Sequence, residues 1–269
     1  MLKYGTNSPF LSCDSFARLA DYVVGGISGN KRVKKSKLRK AKIIFVRSHQ
    51  LEKLIQDYGN MIKANVVLTG NSDFNFTFPI ALPKSVKVVF AQNCGIAPDT
   101  KFRPLPIGLE NLRGGRSGLK RLHKSNHGHT VFDKIYLPPM APTNPIRFNV
   151  VEEASLNREI FEIDRQYKNE SDYFNNVKKY KFVFCCEGNG FENHRIWESL
   201  YQNSFPVMLD TAFSRGLASL EIPILLVKDL GEVNANLLSK FLVLNSAFDS
   251  RNEPKLWINY WKALFDSFL

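Results

Sequence analysis

Short apolar runs rich in β-branched residues alternate along this chain with stretches of helical period. In the first half, residues 42–46, 65–69, 86–90 and 104–107 read as strands, and 14–24 and 50–61 as helices. In the second half, strands fit 134–137, 181–186, 205–209 and 224–227. Helices fit 151–164, 171–179, 191–203, 234–244 and 254–268. The strand runs are almost continuously apolar, a pattern a strand needs only when both of its faces are covered. Parallel sheets flanked by helices meet that condition, so the chain reads as α/β. The last stretch places Leu256, Trp257, Tyr260, Trp261, Leu264, Phe265 and Phe268 in a broad helical stripe. Docking on the body of the protein is its expected use.

The rhythm breaks at "GGRSGLKRLHKSNHGH", residues 114–129, which is Gly-rich, basic and nearly devoid of apolar side chains. It reads as a linker between two α/β halves. The expected domains are 1–128, joined by a returning helix in 250–269, and 129–249. Ligands of open α/β sheets bind beyond the carboxyl ends of the strands, so a two-domain arrangement puts the site in the cleft between the halves.

Composition narrows the class. With 269 residues, 44% of them hydrophobic and 21 of them Phe, the chain can bury a core without disulfides or metal. Cys185 and Cys186 are adjacent, so on a strand they point to opposite faces and are poorly placed to pair. No cysteine or histidine spacing suggests zinc, and a reducing compartment is the simpler expectation. The sequons at Asn75 and Asn169 would matter only on a secretory route. The start is too polar for a signal peptide and no long apolar span follows, so a soluble, cytoplasmic protein is expected. A Golgi lumen is the alternative if an anchor precedes the chain.

Charge adds a question. The net charge is +12, and Lys31, Arg32, Lys34, Lys35, Lys37, Arg39, Lys40 and Lys42 occur with no acid among them. The run is either a solvated connector or a contact for an anionic membrane face, an anionic substrate or nucleic acid. It lacks interleaved aromatics, so nucleic acid is not the expected partner.

The densest chemistry lies at "KFVFCCEGNGFENHRIWESLYQNSFPVML", residues 181–209. A strand runs into Glu187-Gly188-Asn189-Gly190, and a helix follows. The glycines permit a sharp turn and close approach of backbone to a ligand. The helix start offers free N–H groups and a positive dipole end, a seat for phosphate. Arg195 can add a bidentate contact, and Glu198, three residues on, shares its face and could accept from a ribose diol. The alternative is an ordinary strand–helix unit with Arg195 and Glu198 as a surface ion pair. The full dinucleotide fingerprint and the Walker ending are both absent.

This stretch resembles the donor-binding motif of exostosin-like glycosyltransferases of the GT-B fold. Gly188, Gly190, Arg195, Glu198, Leu200, Pro206 and Val207 occupy the family's places. Asn203-Ser204 stands where a glycine is usual before the proline; asparagine can also take the left-handed conformation. Softer similarities lie at Asn71, Ser72, Asp73, Asn93, Pro106, Ile107, Gly108 and Leu109, and at Thr143, Asn144 and Arg147. Gly70 replaces the family's usual His. The resemblance implies two Rossmann-like domains facing a cleft, with the final helix crossing back to the first. It also implies a nucleoside-diphosphate-sugar donor held by Gly188, Asn189, Gly190, His194, Arg195, Glu198, Arg147 and Asn144. The acceptor, a glycan, would meet Asn71, Ser72 and Asn93.

Sugar transfer needs a stabilised leaving diphosphate and, with inversion, a base. The chain has no Asp-x-Asp motif. Arg195, Arg147 and a helix N-terminus could carry the charge instead, so no metal or other cofactor is expected. Asp73, on a loop after a strand in the first half, is the first expectation for the base, and Glu187 the second; Asp73 could equally be a turn residue. His194 either touches the donor or caps the helix. His123, His127 and His129 fall in the linker, and Lys101, Arg103, Arg113 and Arg116 flank the Pro106–Leu109 segment. Two other classes stay open: a non-catalytic basic module for anionic polymers, and a different phosphate-ester enzyme on a doubly wound sheet.

Overall fold

The computed structural model describes residues 7–27, 29–97, 100–112, 132–166 and 169–269. The expected linker, the domain boundary at 128/129, Arg113, Arg116 and the histidines at 123, 127 and 129 lie outside the described residues.

The chain builds two parallel five-stranded sheets. The first runs in simple order: β1 (Tyr22–Val23), β2 (Ile43–Arg47), β3 (Val66–Gly70), β4 (Val88–Ala91) and β5 (Phe102–Pro104). Helices α1 (Cys13–Ala17), α2 (Lys35–Leu38) and α3 (Leu51–Tyr58) belong to this half. The second half contains β6 (Phe132–Leu137), α4 (Ile146–Ser155), β7 (Phe161–Ile163), α5 (Glu170–Val177) and β8 (Tyr180–Phe184). It continues with α6 (His194–Tyr201), β9 (Phe205–Leu209), α7 (Ala212–Ala218), β10 (Leu225–Val227), α8 (Ala235–Leu244) and α9 (Ile258–Asp266). Its strand order is β10-β9-β8-β6-β7.

Alternation along the strands explains the continuous apolar runs. Ile43, Phe45, Val66, Leu68, Val88 and Phe90 enter one core, while Ile44, Val46, Val67 and Val89 enter another on the opposite face. Cys185 and Cys186 likewise point into different cores, and all four cysteines are free. The first of these cores runs on without a break into the second half, where it contains Tyr136, Val183, Trp197 and Tyr201. Helix α9 lies on the first sheet. Phe265 meets Phe90 at 4.8 Å between ring centroids, and Trp261 meets Phe16 at 5.7 Å. Tyr201 ties three segments together, its hydroxyl accepting from Leu11 N at 2.9 Å and donating to Leu256 O at 2.6 Å.

Several elements differ from the sequence expectation, and helices α2 and α7 are absent from it altogether. The helix expected at 14–24 ends at Ala17, because Asp21 Oδ2 accepts from the amides of Lys42 and Ile43 and draws the next residues alongside β2 as a strand. The helix expected to reach 164 stops at Ser155, and Phe161–Ile163 pair with Ile135–Leu137. The strand expected at 104–107 is Phe102–Pro104; Pro106 has no N–H to give a sheet, and Gly108 turns the chain at φ +64°. Among the described residues no helix is long and apolar enough to cross a membrane.

Candidate functional site

In the second sheet β6 is flanked by β7 on one side and β8 on the other. The direction in which strands are added reverses there, and such a switch point opens a crevice at the carboxyl ends. The Glu187–Gly190 turn leaves β8 at this place. It closes on itself through Gly188 N to Gly190 O at 3.0 Å, and Asn144 Nδ2 donates to Gly188 O at 3.2 Å. The helix expected from 191 begins at His194. Asn193 caps it, its Oδ1 accepting from Arg195 N at 3.0 Å while its Nδ2 donates to Cys186 O at 2.7 Å.

Two half-buried guanidiniums bracket the turn. Arg147 donates from Nε to Glu187 O and from Nη1 to Ala141 O, both at 2.7 Å. Arg195 donates from Nη2 to Pro139 O and stands 5.9 Å over the Tyr173 ring. Every one of these acceptors is a neutral carbonyl. Neither arginine has a carboxylate partner among the described residues. Burial holds the Arg147 guanidinium below its ordinary pKa, and the charge of Arg195 pushes the same way. The surface ion pair of Arg195 with Glu198 does not form. Glu198 is buried, and its Oε2 accepts from the Tyr173 hydroxyl at 2.9 Å, while Oε1 has no hydrogen-bond partner among the described residues. A pocket of 350 Å³ opens beside Arg147, lined also by Pro138, Pro139, Phe148, Asp164 and Arg165 at the ends of β6 and β7.

The rim of the first sheet closes on the same turn. Phe191 N donates to Asn75 Oδ1 at 3.0 Å, and Glu192 N to Asn93 Oδ1 at 2.7 Å. Ile107 N donates to Glu192 Oε1 at 2.8 Å. His194 Nδ1 donates to Gly108 O at 2.7 Å, so this ring reaches the first half, and its Nε2 has no hydrogen-bond partner among the described residues. Asn93 holds φ +52° to do this, and its Nδ2 donates to Ser72 O at 3.2 Å. Gly190 is dictated by this approach, because a Cβ there would stand 2.7 Å from Asn93 Oδ1. Gly190→Ala is therefore expected to cost about 1–3 kcal/mol by overpacking, read as a lower melting temperature. At Gly188 the atom met is the far end of Arg147, at 2.8 Å, so Gly188→Ala should displace the guanidinium with less effect on the fold.

Asn71, Ser72 and Asp73 follow β3. Asn71 takes φ +57° and its N–H donates to Gln92 Oε1 at 2.8 Å. A side chain on Gly70 would run into that same Gln92 group, so glycine fits here where histidine would not. A histidine reaches the loop from elsewhere: His49 Nδ1 lies 3.0 Å from Ser72 Oγ. Asp73 is exposed and has no hydrogen-bond partner among the described residues. The sequon Asn75 is engaged in the junction, and Asn169 caps α5.

Two carboxyls of the second half are shifted by burial. Glu187 is raised above the ordinary carboxylate range. Glu192 is raised to about 7, burial outweighing the hydrogen bonds that favour its charged form. The folded state thus holds this proton more tightly than the unfolded chain does. The associated stability is present below about pH 4.5 and is lost as pH rises through about 7. Sequence reasoning passed over Glu192, His49 and Gln92, and noted Asn75 only as a sequon. Their partners lie far away in the chain, and for Glu192 the only local signal was an acid between the Gly turn and the helix cap.

Among the described residues no group of three or more His, Cys, Asp or Glu comes together as for a metal ion. No protein-family model matches the chain, and no curated protein matches it.

Proposed function

We propose that the protein is a GT-B-like glycosyltransferase that takes a nucleoside-diphosphate sugar and passes the sugar to a glycan. The observation that carries this reading is the pair Arg147 and Arg195, two half-buried cations without a carboxylate partner among the described residues, bracketing a Gly-x-Gly turn at a topological switch point. Holding two guanidiniums together partly out of water is costly unless an anion joins them, and a diphosphate supplies that anion. The start of α6 and the backbone of Asn189 and Gly190 add N–H groups to the same crevice. Glu198 Oε1 suits a ribose hydroxyl, His194 Nε2 the phosphate or sugar, and the pocket beside Arg147 and Phe148 a flat base.

The two sheets act as the two lobes, with α9 returning to the first and the acceptor entering along Asn71, Ser72, Asp73 and Asn93. As the transfer proceeds, the two arginines hold the leaving diphosphate. Stabilising charge that develops on a leaving group is the largest single contribution such a site makes.

Thermal shift with UDP and GDP tests this. Nucleotide at 100 times its dissociation constant should stabilise the fold by about 2.7 kcal/mol, and incubation with nucleotide sugars should release the diphosphate. No protection and no release with any nucleotide would sink the reading. A non-catalytic module for anionic polymers is the second reading. It is favoured by the eight cationic side chains of residues 31–42, all exposed, which also suit peripheral contact with an anionic membrane. Binding to heparin or to anionic vesicles without nucleotide protection would favour it.

A further inference from the structure

We propose that Glu192 is the proton acceptor of the transfer reaction, receiving at Oε2 the hydrogen of the acceptor hydroxyl. The inference rests on the transferase reading above and names a residue of that same site.

Glu192 lies where both halves meet. Its backbone N–H is held by Asn93 from the turn after β4, and its Oε1 is pinned from two sides, by Ile107 N at 2.8 Å and Trp197 Nε1 at 2.7 Å. The residue is only 5% exposed. Its second oxygen differs: Oε2 has no hydrogen-bond partner among the described residues, and it is not sealed off from solvent. A carboxylate with one oxygen fixed and the other open is oriented without being used up. Two residues separate it from Arg195 in sequence and one from His194, and its amide is held by Asn93, whose Nδ2 donates to Ser72 O; the open oxygen is assigned to the crevice between these groups.

The environment suits proton transfer. Burial brings Glu192 close to neutrality, where a general base balances basicity against the fraction ionised. The titratable neighbours are few. Cys94, on the turn after β4, is itself held protonated by burial, and His194 directs Nδ1 away to Gly108 O. Asp73 is free of any orienting bond, and Glu187 is only half-buried with its carbonyl engaged by Arg147. In the step itself the acceptor oxygen forms its bond to the anomeric carbon. The bond from that carbon to the diphosphate breaks, the diphosphate leaves with the electron pair, and the hydroxyl proton passes to Oε2.

Glu192→Gln tests this with the intact chain. Glutamine keeps an oxygen for Ile107 N and Trp197 Nε1 but cannot accept the proton. Release of UDP or GDP from UDP-glucose, UDP-N-acetylglucosamine, GDP-mannose and GDP-fucose is expected to fall by about 10²–10⁴-fold, the range of a lost general base. That loss should exceed those in Asp73→Asn and Glu187→Gln. Thermal protection by UDP and GDP should persist, and the acid limb of the wild-type kcat/KM profile, near pH 7, should flatten. The indole ¹⁵N–¹H resonance of Trp197 should titrate near pH 7 in the wild type and not in the variant. Wild-type release by Glu192→Gln overturns the inference alone. Loss of nucleotide protection in step with rate shows a merely structural carboxyl and also overturns it. A wild type that titrates at Trp197 but releases nothing from any donor overturns the transferase reading, and the assigned role with it.

Discussion

Replacing both Arg147 and Arg195 by alanine is expected to abolish thermal protection by UDP and GDP while leaving the protein folded. A charge-assisted hydrogen bond is worth about 1.5–3 kcal/mol, so losing two phosphate-binding guanidiniums should weaken nucleotide affinity by about 10²–10⁴-fold. The singles should each lose about tenfold to a hundredfold, and the double need not equal their sum, because the two charges already oppose one another. For the same reason the apo protein should suffer little: removing either cation relieves repulsion and desolvation, against the loss of bonds to the carbonyls of Glu187, Ala141 and Pro139. Arg195→Lys should recover part of the affinity through charge but not the fork geometry. Titration calorimetry with UDP and GDP decides the matter. Unchanged affinity in the double variant would return both arginines to a purely structural role, clamping the loops at the ends of β6 and β8.

The parts of this fold that local pattern could reveal were the ones made of local pattern. Strands β2, β3, β4, β8 and β9 are apolar on consecutive positions because each face enters a different core, and that shows in sequence as an unbroken run. Strands β1 and β7 are two and three residues long, too short for periodicity to register, and both follow helix-like residues. What places them is remote: the Asp21 carboxylate bonds to the amides of Lys42 and Ile43 in one case, and pairing with Ile135 and Leu137 in the other. Asn203 shows local reasoning at its best. Where the motif that this stretch resembles has a glycine before the proline, Asn203 takes φ +60°, while its Oδ1 accepts from Ser250 N at 2.8 Å, a bond glycine could not make.

The candidate site divides in the same way. Gly188, Gly190 and Arg195 were legible because a turn and a helix start are local objects. Their surroundings were not. Gly190 is small for the sake of Asn93, and Glu198 is buried under Tyr173 rather than paired on the surface. Burial sets the state of Glu192, and two of the residues that hold it in its buried place, Asn93 and Ile107, lie 99 and 85 residues away. No spacing rule reaches that far, so a burial-driven shift in a carboxyl stays invisible until the two halves are seen together.

Trp261→Ala is expected to cause the largest loss of stability of any single change considered, about 3–5 kcal/mol. Trp261 is fully buried, its Nε1 donates to Lys255 O at 2.8 Å, and its ring is packed edge-on against Phe16 and Phe90. Truncation would leave a cavity in the core that both halves share, and collapse cannot fill it without moving α9 off the first sheet. A domain commonly holds only about 5–15 kcal/mol in reserve, and the variant should melt lower by roughly 6–20 °C at about 2–4 °C per kcal/mol. Trp261→Phe keeps most of the packing and gives up the bond to Lys255 O, and should lose less. The effect ought to reach the site as well. Leu256, beside this helix, accepts from Tyr201 at the end of α6, the helix whose start carries His194 and Arg195. Weaker docking of α9 should therefore reduce protection by UDP and GDP, although no atom of Trp261 lies in the crevice. Differential scanning calorimetry with and without nucleotide measures both effects. A melting temperature within two or three degrees of the wild type would mean that α9 contributes little to the shared core.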